Sequence, residues 1–346
     1  MRSLIEKYSG YLPITDRTPR ITLGEGSTPL IQSTRIGPSL GLDQLYFKYE
    51  GLNPTGSFKD RGMVVATARA IEAGARVLLC ASTGNTSASA SAYAAHCGLR
   101  AVVVVPAGGV AAGKLVQAMA YGARIMLIRG SFDRALELVR ELAGEPGITL
   151  VNSINPDRIE GQKTAAFEIV EDLGRAPGQL FIPVGNAGNI TAYWRGFCEL
   201  QAQAGTGLPV MRGAQAEGAA PIVSGKPIAR PRTVASAIRI GNPASWKAAL
   251  KARDESEGSI EAVTDREIVA AHQRLSAEEG LLVEPASAAS VALLLKRAQQ
   301  YGPPQHPVVC VLTGHGLKDP KAITRGLKLP EAVHPTPKLL RRAVQS

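Results

Sequence analysis

Short, nearly unbroken apolar runs alternate with longer helical stretches along most of this chain, and that alternation restricts the fold more than any other feature. The runs LYFKYE (45–50), RVLLCA (76–81), RAVVVVP (100–106), ARIMLI (123–128), TLVN (149–152), QLFIP (179–183) and HPVVCVLT (306–313), with residues 210–214, have strand length. Most carry too few polar residues to supply one wet face. Residues 86–97, 114–121, 132–142, 159–172, 190–200, 245–252, 265–279 and 286–299 have helical length and fall between or beside them. Apolar strands alternating with helices predict an α/β chain of parallel sheets covered on both faces. With 346 residues there is room for about two domains. No repeat of fixed period is present. Residues 218–232, rich in Pro, Ala and Gly, are expected to cross the surface as a loop.

Sheets of this kind bind ligands at the carboxyl ends of their strands, and the unusual turns of the chain fall there. Ser82-Thr83-Gly84-Asn85-Thr86-Ser87 ends one strand, Gly185-Asn186-Ala187-Gly188-Asn189 ends another, and Thr313-Gly314-His315-Gly316 ends the last. Three small, polar turns of one positional class predict one shared cleft. In the 185–189 turn a strand passes through glycines into a helix, an arrangement that offers several free backbone N–H groups to one anion. Its glycines lack the spacing of a dinucleotide fingerprint.

Upstream, Asn53-Pro-Thr-Gly-Ser-Phe-Lys-Asp-Arg-Gly62 follows the first apolar run. A turn at 53–56 and a capping Ser57 predict a helix start with Lys59 in its first turn. The positive helix end disfavours another cation there. The amine gains if it is neutralised as an imine to an aldehyde cofactor whose phosphate lies nearby. Taken alone, Lys59 reads equally well as a surface lysine; together with the 185–189 turn it points to a phosphate-bearing aldehyde.

A net charge of +10 raises the question of nucleic acid. The charges are dispersed and aromatic residues make up only 5%, so no basic arm with stacking aromatics exists. The densest basic cluster, KLLRR at 338–342, is expected to be a solvated helix face. A basic chain also suits anionic substrates and cofactors. The hydrophobic share of 45% fits a soluble globular protein. No apolar run approaches membrane-spanning length, and the first eight residues carry no signal-peptide core, so a cytoplasmic location is expected. Cys80, Cys97, Cys198 and Cys310 are far apart, with Cys80 and Cys310 expected as buried thiols. The five histidines show no metal-ligand spacing, and no metal is expected.

Taken together these motifs resemble the pyridoxal-phosphate enzymes of the tryptophan-synthase-β type, called fold type II, and within them the threonine synthases. The likeness extends from Gly24-Glu-Gly-Ser-Thr-Pro-Leu30 to Thr313-Gly-His-Gly-Leu-Lys-Asp-Pro320 and is most specific in STGNTS (82–87), NSINPDRIEGQK (152–163) and AIRIGNPASW (237–246). It implies two domains with twisted, mostly parallel sheets flanked by helices: residues 1–50 with 155–346 as a large domain, residues 51–154 as a small one, and pyridoxal 5'-phosphate in the cleft between them. By the same resemblance Lys59 would bind the cofactor covalently, and Asn85 would meet its phenolic oxygen. The backbone of Gly185, Asn186, Ala187, Gly188 and Asn189 would hold its phosphate, and Thr313 would face the pyridine nitrogen. Ser82, Thr83, Lys114, Asn152 and Arg158 would receive a second phosphate, that of the substrate. The implied reaction converts O-phospho-L-homoserine and water to L-threonine and phosphate in a homodimer. The competing reading is a threonine or serine dehydratase of the same cofactor class, which needs no second phosphate pocket.

Overall fold

The apolar runs become strands of two separate sheets in the computed structural model, which describes residues 3–107, 112–130, 132–304 and 307–320, with Arg341 and Val344. The strands among the described residues are β1 (Leu30–Gln32), β2 (Leu45–Tyr49), β3 (Val77–Ala81), β4 (Arg100–Pro106), β5 (Arg124–Ile128), β6 (Ile148–Leu150), β7 (Gln179–Pro183), β8 (Val210–Ala216), β9 (Ser259–Val263) and β10 (Val308–Leu312). One sheet has the order β1-β2-β10-β7-β8-β9 and the other β5-β4-β3-β6. Each pairing among these strands is parallel except that of β1 with β2, where Leu30 lies opposite Lys48. The two strands that the apolar pattern did not predict, β1 and β9, are the two edges of the larger sheet. An edge strand keeps one side open to water, so LIQ and SIEAV carry polar residues that a central strand such as β10, buried throughout, does not.

Three helices pack so closely that glycine is required between them. The helix Lys59–Glu72 crosses the helix Pro156–Leu173 at Gly62 and Gly161. A Cβ on Gly161 would stand 2.0 Å from the Arg61 carbonyl oxygen, and one on Gly62 would stand 2.5 Å from that of Arg158. Gly196, on the helix Gly188–Ala204, meets the Lys163 carbonyl in the same way at 2.6 Å. Backbone therefore lies against backbone, and the helix that begins at Lys59 is held at a fixed distance from Arg158.

The N-terminal segment packs with the smaller sheet: Leu4, Ile5, Tyr8 and Leu12 share a core with Met63, Leu78, Val103 and Phe167. Residues 218–232 cross the surface as expected over most of their length, but not at 219–222. Ala219, Ala220, Pro221 and Ile222 are buried. The segment is tied down by the hydrogen bonds Arg232 N to Gly218 O (2.8 Å) and Ile228 N to Gly241 O (2.8 Å). Its far half, from Pro227 to Pro231, lines a cavity. The basic cluster at 338–342 lies outside the described residues apart from Arg341. Cys80 and Cys310 are buried free thiols, as expected. No helix among the described residues is long and apolar enough to cross a membrane.

Candidate active site

The carboxyl ends of both sheets open into one cavity of about 1920 Å³, walled by residues that follow β3, β7 and β10. Lys59 is the first residue of its helix. Ser57, expected as the cap, sits one step further out: Phe58 precedes the helix, and Ser57 Oγ accepts from Lys59 N at a long 3.4 Å. The turn is laced instead to the strand end opposite. Phe58 N donates to Thr313 O (3.0 Å), His315 N donates to Gly56 O (2.9 Å), and Ser57 bridges Gly314. Lys59 and Thr313, 254 positions apart by subtraction of their numbers, thus become neighbours through main-chain pairing.

The Lys59 amine lies 4.2 Å from the centre of the Phe58 ring. Removal from water, and then the nearby Arg158 guanidinium, hold its proton affinity well below that of an ordinary lysine, with Glu284 opposing. A lysine held in that direction is closer to the neutral, nucleophilic amine than an ordinary lysine is. The cavity wall carries a second lysine, Lys318, whose amine is already committed to Thr55 O (2.9 Å) and to Gln117 Oε1.

Across the cavity, β7 ends at Pro183 and the chain turns through 185–189 into the helix Gly188–Ala204. Ala187 adopts φ 66°, a left-handed conformation that costs a non-glycine residue energy. That conformation turns the chain into the helix, whose first N–H groups have no acceptors within it. The side chain of Asn189 is buried, and neither its Nδ2 nor its Oδ1 has a hydrogen-bond partner among the described residues. Ser245 N donates to Asn186 O (3.1 Å), so the segment 237–246 braces the turn from outside.

Asn85 and Thr313 reach the cavity from opposite sheets, and between them stands a residue that the sequence motifs do not reveal. Glu284 is buried, with both carboxylate oxygens near Asn85 Nδ2 (3.2 and 3.1 Å) and Oε1 3.4 Å from Thr313 Oγ1. Burial raises its proton affinity, while Asn85, Lys318, Thr313 and Lys59 lower it. Thr313 Oγ1 also lies 3.0 Å from Ser287 Oγ. The signal available in the sequence was a carboxylate set in an otherwise apolar run, GLLVEPASAA.

Of the residues expected to receive a substrate phosphate, Ser82, Thr83 and Asn152 line the cavity. The Asn152 amide is spent on the backbone of Ala81, accepting from its N and donating to its O, each at 2.9 Å. Arg158 is not part of the wall. It is fully buried behind it, with Nη1 donating to Val151 O (3.1 Å) and with Nε and Nη2 lacking partners among the described residues. Burial pulls its proton affinity down to about 10. The side chain of Lys114 lies outside the described residues.

Solved structures with this fold include a threonine deaminase from T.th., 27% identical with a TM-score of 0.70, covering 90% of this chain and 96% of that one. An O-ureido-L-serine synthase shares the fold at 20% identity and a TM-score of 0.72, covering 88% and 95%. The family described as pyridoxal-phosphate dependent enzyme matches residues 21–314. A threonine synthase of Halalkalibacterium halodurans is 56% identical over 96% of this chain and 94% of its own length. Those of Synechocystis sp. and Methanocaldococcus jannaschii are 59% and 48% identical, over 92% and 98% of this chain and 84% and 86% of theirs. The chain belongs to the pyridoxal-phosphate dependent enzymes and, among them, to the threonine synthase family.

Proposed function

We infer that the cavity binds pyridoxal 5'-phosphate and that the chain there converts O-phospho-L-homoserine and water to L-threonine and phosphate. The observation that carries the reading is the pairing, in one cavity, of a lysine with depressed proton affinity and a strained turn that opens a helix start. The residues fit the cofactor. The 185–189 backbone and the unpartnered Asn189 suit its phosphate, Asn85 Nδ2 suits the phenolic oxygen, and the Thr313 hydroxyl suits the ring nitrogen. When bound, the cofactor supplies an electron sink for charge developing on the substrate carbons.

This chain's residues supply the rest. Lys59 Nζ would hold the cofactor, and as a free amine it would be the base placed to move protons at the substrate Cα and Cβ. Thr313 offers a hydroxyl, which cannot hold a ring proton as a carboxylate would, and this favours elimination and replacement over transamination. Ser82, Thr83 and Asn152 form the wall proposed for the substrate phosphate. Arg158 is proposed as the cation behind that wall, its two unpartnered nitrogens being an unmet demand for an anion. The proposed domain division is supported by the sheets, since β3 to β6 all fall within 51–154 and the other strands among the described residues all fall outside it, but Leu4, Ile5, Tyr8 and Leu12, assigned by it to the large domain, pack in the core of the smaller sheet.

Turnover of phosphohomoserine, measured with inorganic phosphate as inhibitor, tests the reading. Threonine formation with competitive phosphate inhibition is expected. Deamination of threonine or serine with no phosphate effect would replace it with the dehydratase reading.

A further inference from the structure

Glu284 occupies the position before the helix Pro285–Tyr301, where a carboxylate could cap the free N–H groups, yet its side chain makes no capping bond. It turns into the cavity. Its own backbone is pinned, Glu284 N donating to Gly314 O at 3.0 Å. The carboxylate lies where a larger residue 314 would force it to shift, since a Cβ there would stand 2.6 Å from Glu284 Oε1. The carboxylate then touches both Asn85 and Thr313, which come from different sheets.

An ionised carboxylate only accepts hydrogen bonds, whereas an asparagine amide can present either its NH₂ or its oxygen. With both Glu284 oxygens near Nδ2, the NH₂ end of the amide is turned to the carboxylate, and a single N–H shared between the two oxygens leaves the second for the cavity. We propose that Glu284 is a positioning residue that fixes the Asn85 amide so that it donates to the cofactor's phenolic oxygen. Without that constraint the amide could turn its oxygen toward the phenolate, and acceptor would face acceptor. The inference rests on the cofactor reading above.

The test is a double-mutant cycle on cofactor affinity, read by titrating apoenzyme with pyridoxal phosphate and following the absorbance of the bound form. Glu284→Gln keeps the shape but can donate as well as accept, so it no longer dictates the amide's orientation. It is expected to weaken binding on the order of tenfold in the wild-type background, the scale of one charge-assisted hydrogen bond. In the Asn85→Ala background the same change is expected to weaken binding by less than about twofold, because the group it orients is gone. Equal effects in both backgrounds, or none in the wild type, would overturn the proposal. If Asn85→Ala itself leaves affinity unchanged, the contact between Asn85 and the cofactor falls, and the proposal with it. Should Glu284→Gln fail to fold, Glu284→Asp, which withdraws the carboxylate by one methylene, is carried through the same cycle with the same criteria.

Discussion

Two buried charge clusters lie side by side, one centred on Arg61 and the other on Lys59 two residues earlier. They are built on opposite principles. Arg61 is fully buried and every guanidinium nitrogen has an acceptor: Nε meets Glu50 at 2.6 Å, Nη2 meets Glu168 at 2.6 Å, and Nη1 meets Glu168 at 2.7 Å. Lys48 joins the same Glu168 at 2.8 Å. Pairing outweighs desolvation there, so Arg61 holds its proton more tightly and Glu168 is pulled down to about 2. Around Lys59 the directions reverse. Lys59 and Arg158 hold their protons less tightly and Glu284 more tightly, because burial outweighs the partners each has, with the Arg158 charge adding to the effect at Lys59. A paired cluster joins β2, the helix of Arg61 and the helix of Glu168 into a frame; an under-paired one leaves demand for a ligand.

The comparison breaks most sharply at Lys59. Lys59→Ala is expected to abolish turnover, with a loss of at least about 10²–10⁴-fold, the usual contribution of a positioned proton-transfer group. Single-turnover product formation at saturating cofactor measures it, and retention of more than a few per cent of activity (a rough threshold) would remove Lys59 from its role. Arg61→Ala attacks the frame instead. It leaves Glu50 and Glu168 buried without their partner and should cost about 3–5 kcal/mol of stability, read from denaturant unfolding. A variant as stable as the wild type would mean that the frame contributes nothing.

Acid sharpens the same contrast. Glu168 has its proton affinity lowered on folding, so its contribution is complete above its ordinary value of 4.5 and is lost as pH falls from there toward about 2. On the order of 3 kcal/mol is at stake. Glu168→Gln should flatten the unfolding free energy across that window, and an unchanged slope would count against the pairing. The smallest expected effect is at Arg158. Arg158→Ala should reduce kcat/KM for phosphohomoserine about tenfold to a hundredfold, as for loss of a charge-assisted hydrogen bond. Cofactor affinity should move less, and inorganic phosphate should inhibit the variant less well than the wild type. Equal inhibition constants would take Arg158 out of the phosphate site.

Much of the site was legible because its pieces are local. Lys59 after a turn, the strand–glycine–helix passage at 185–189, and Ser82–Ser87 after an apolar run each announce themselves within about ten residues, as backbone conformation and capping do. Glu284 and Lys318 did not. Nothing near Glu284 in the chain says that its carboxylate will meet Asn85, which arrives from the other sheet. Arg158 was expected in the wall and stands behind it, since depth depends on how the helices Lys59–Glu72 and Pro156–Leu173 cross, and that crossing is set by Gly62 and Gly161 together.

The sequence by itself determined the alternation of strand and helix, the mostly parallel character of both sheets and the end of the sheets at which the cavity forms. Each follows from periodicity and turn chemistry over short stretches. Only the tertiary structure decided which buried charges are matched and which are left wanting. Arg61 and Lys59 are two residues apart and equally cationic on paper. They differ because Glu50 and Glu168 come from other elements to meet the first, whereas the second faces a cavity with a guanidinium behind it.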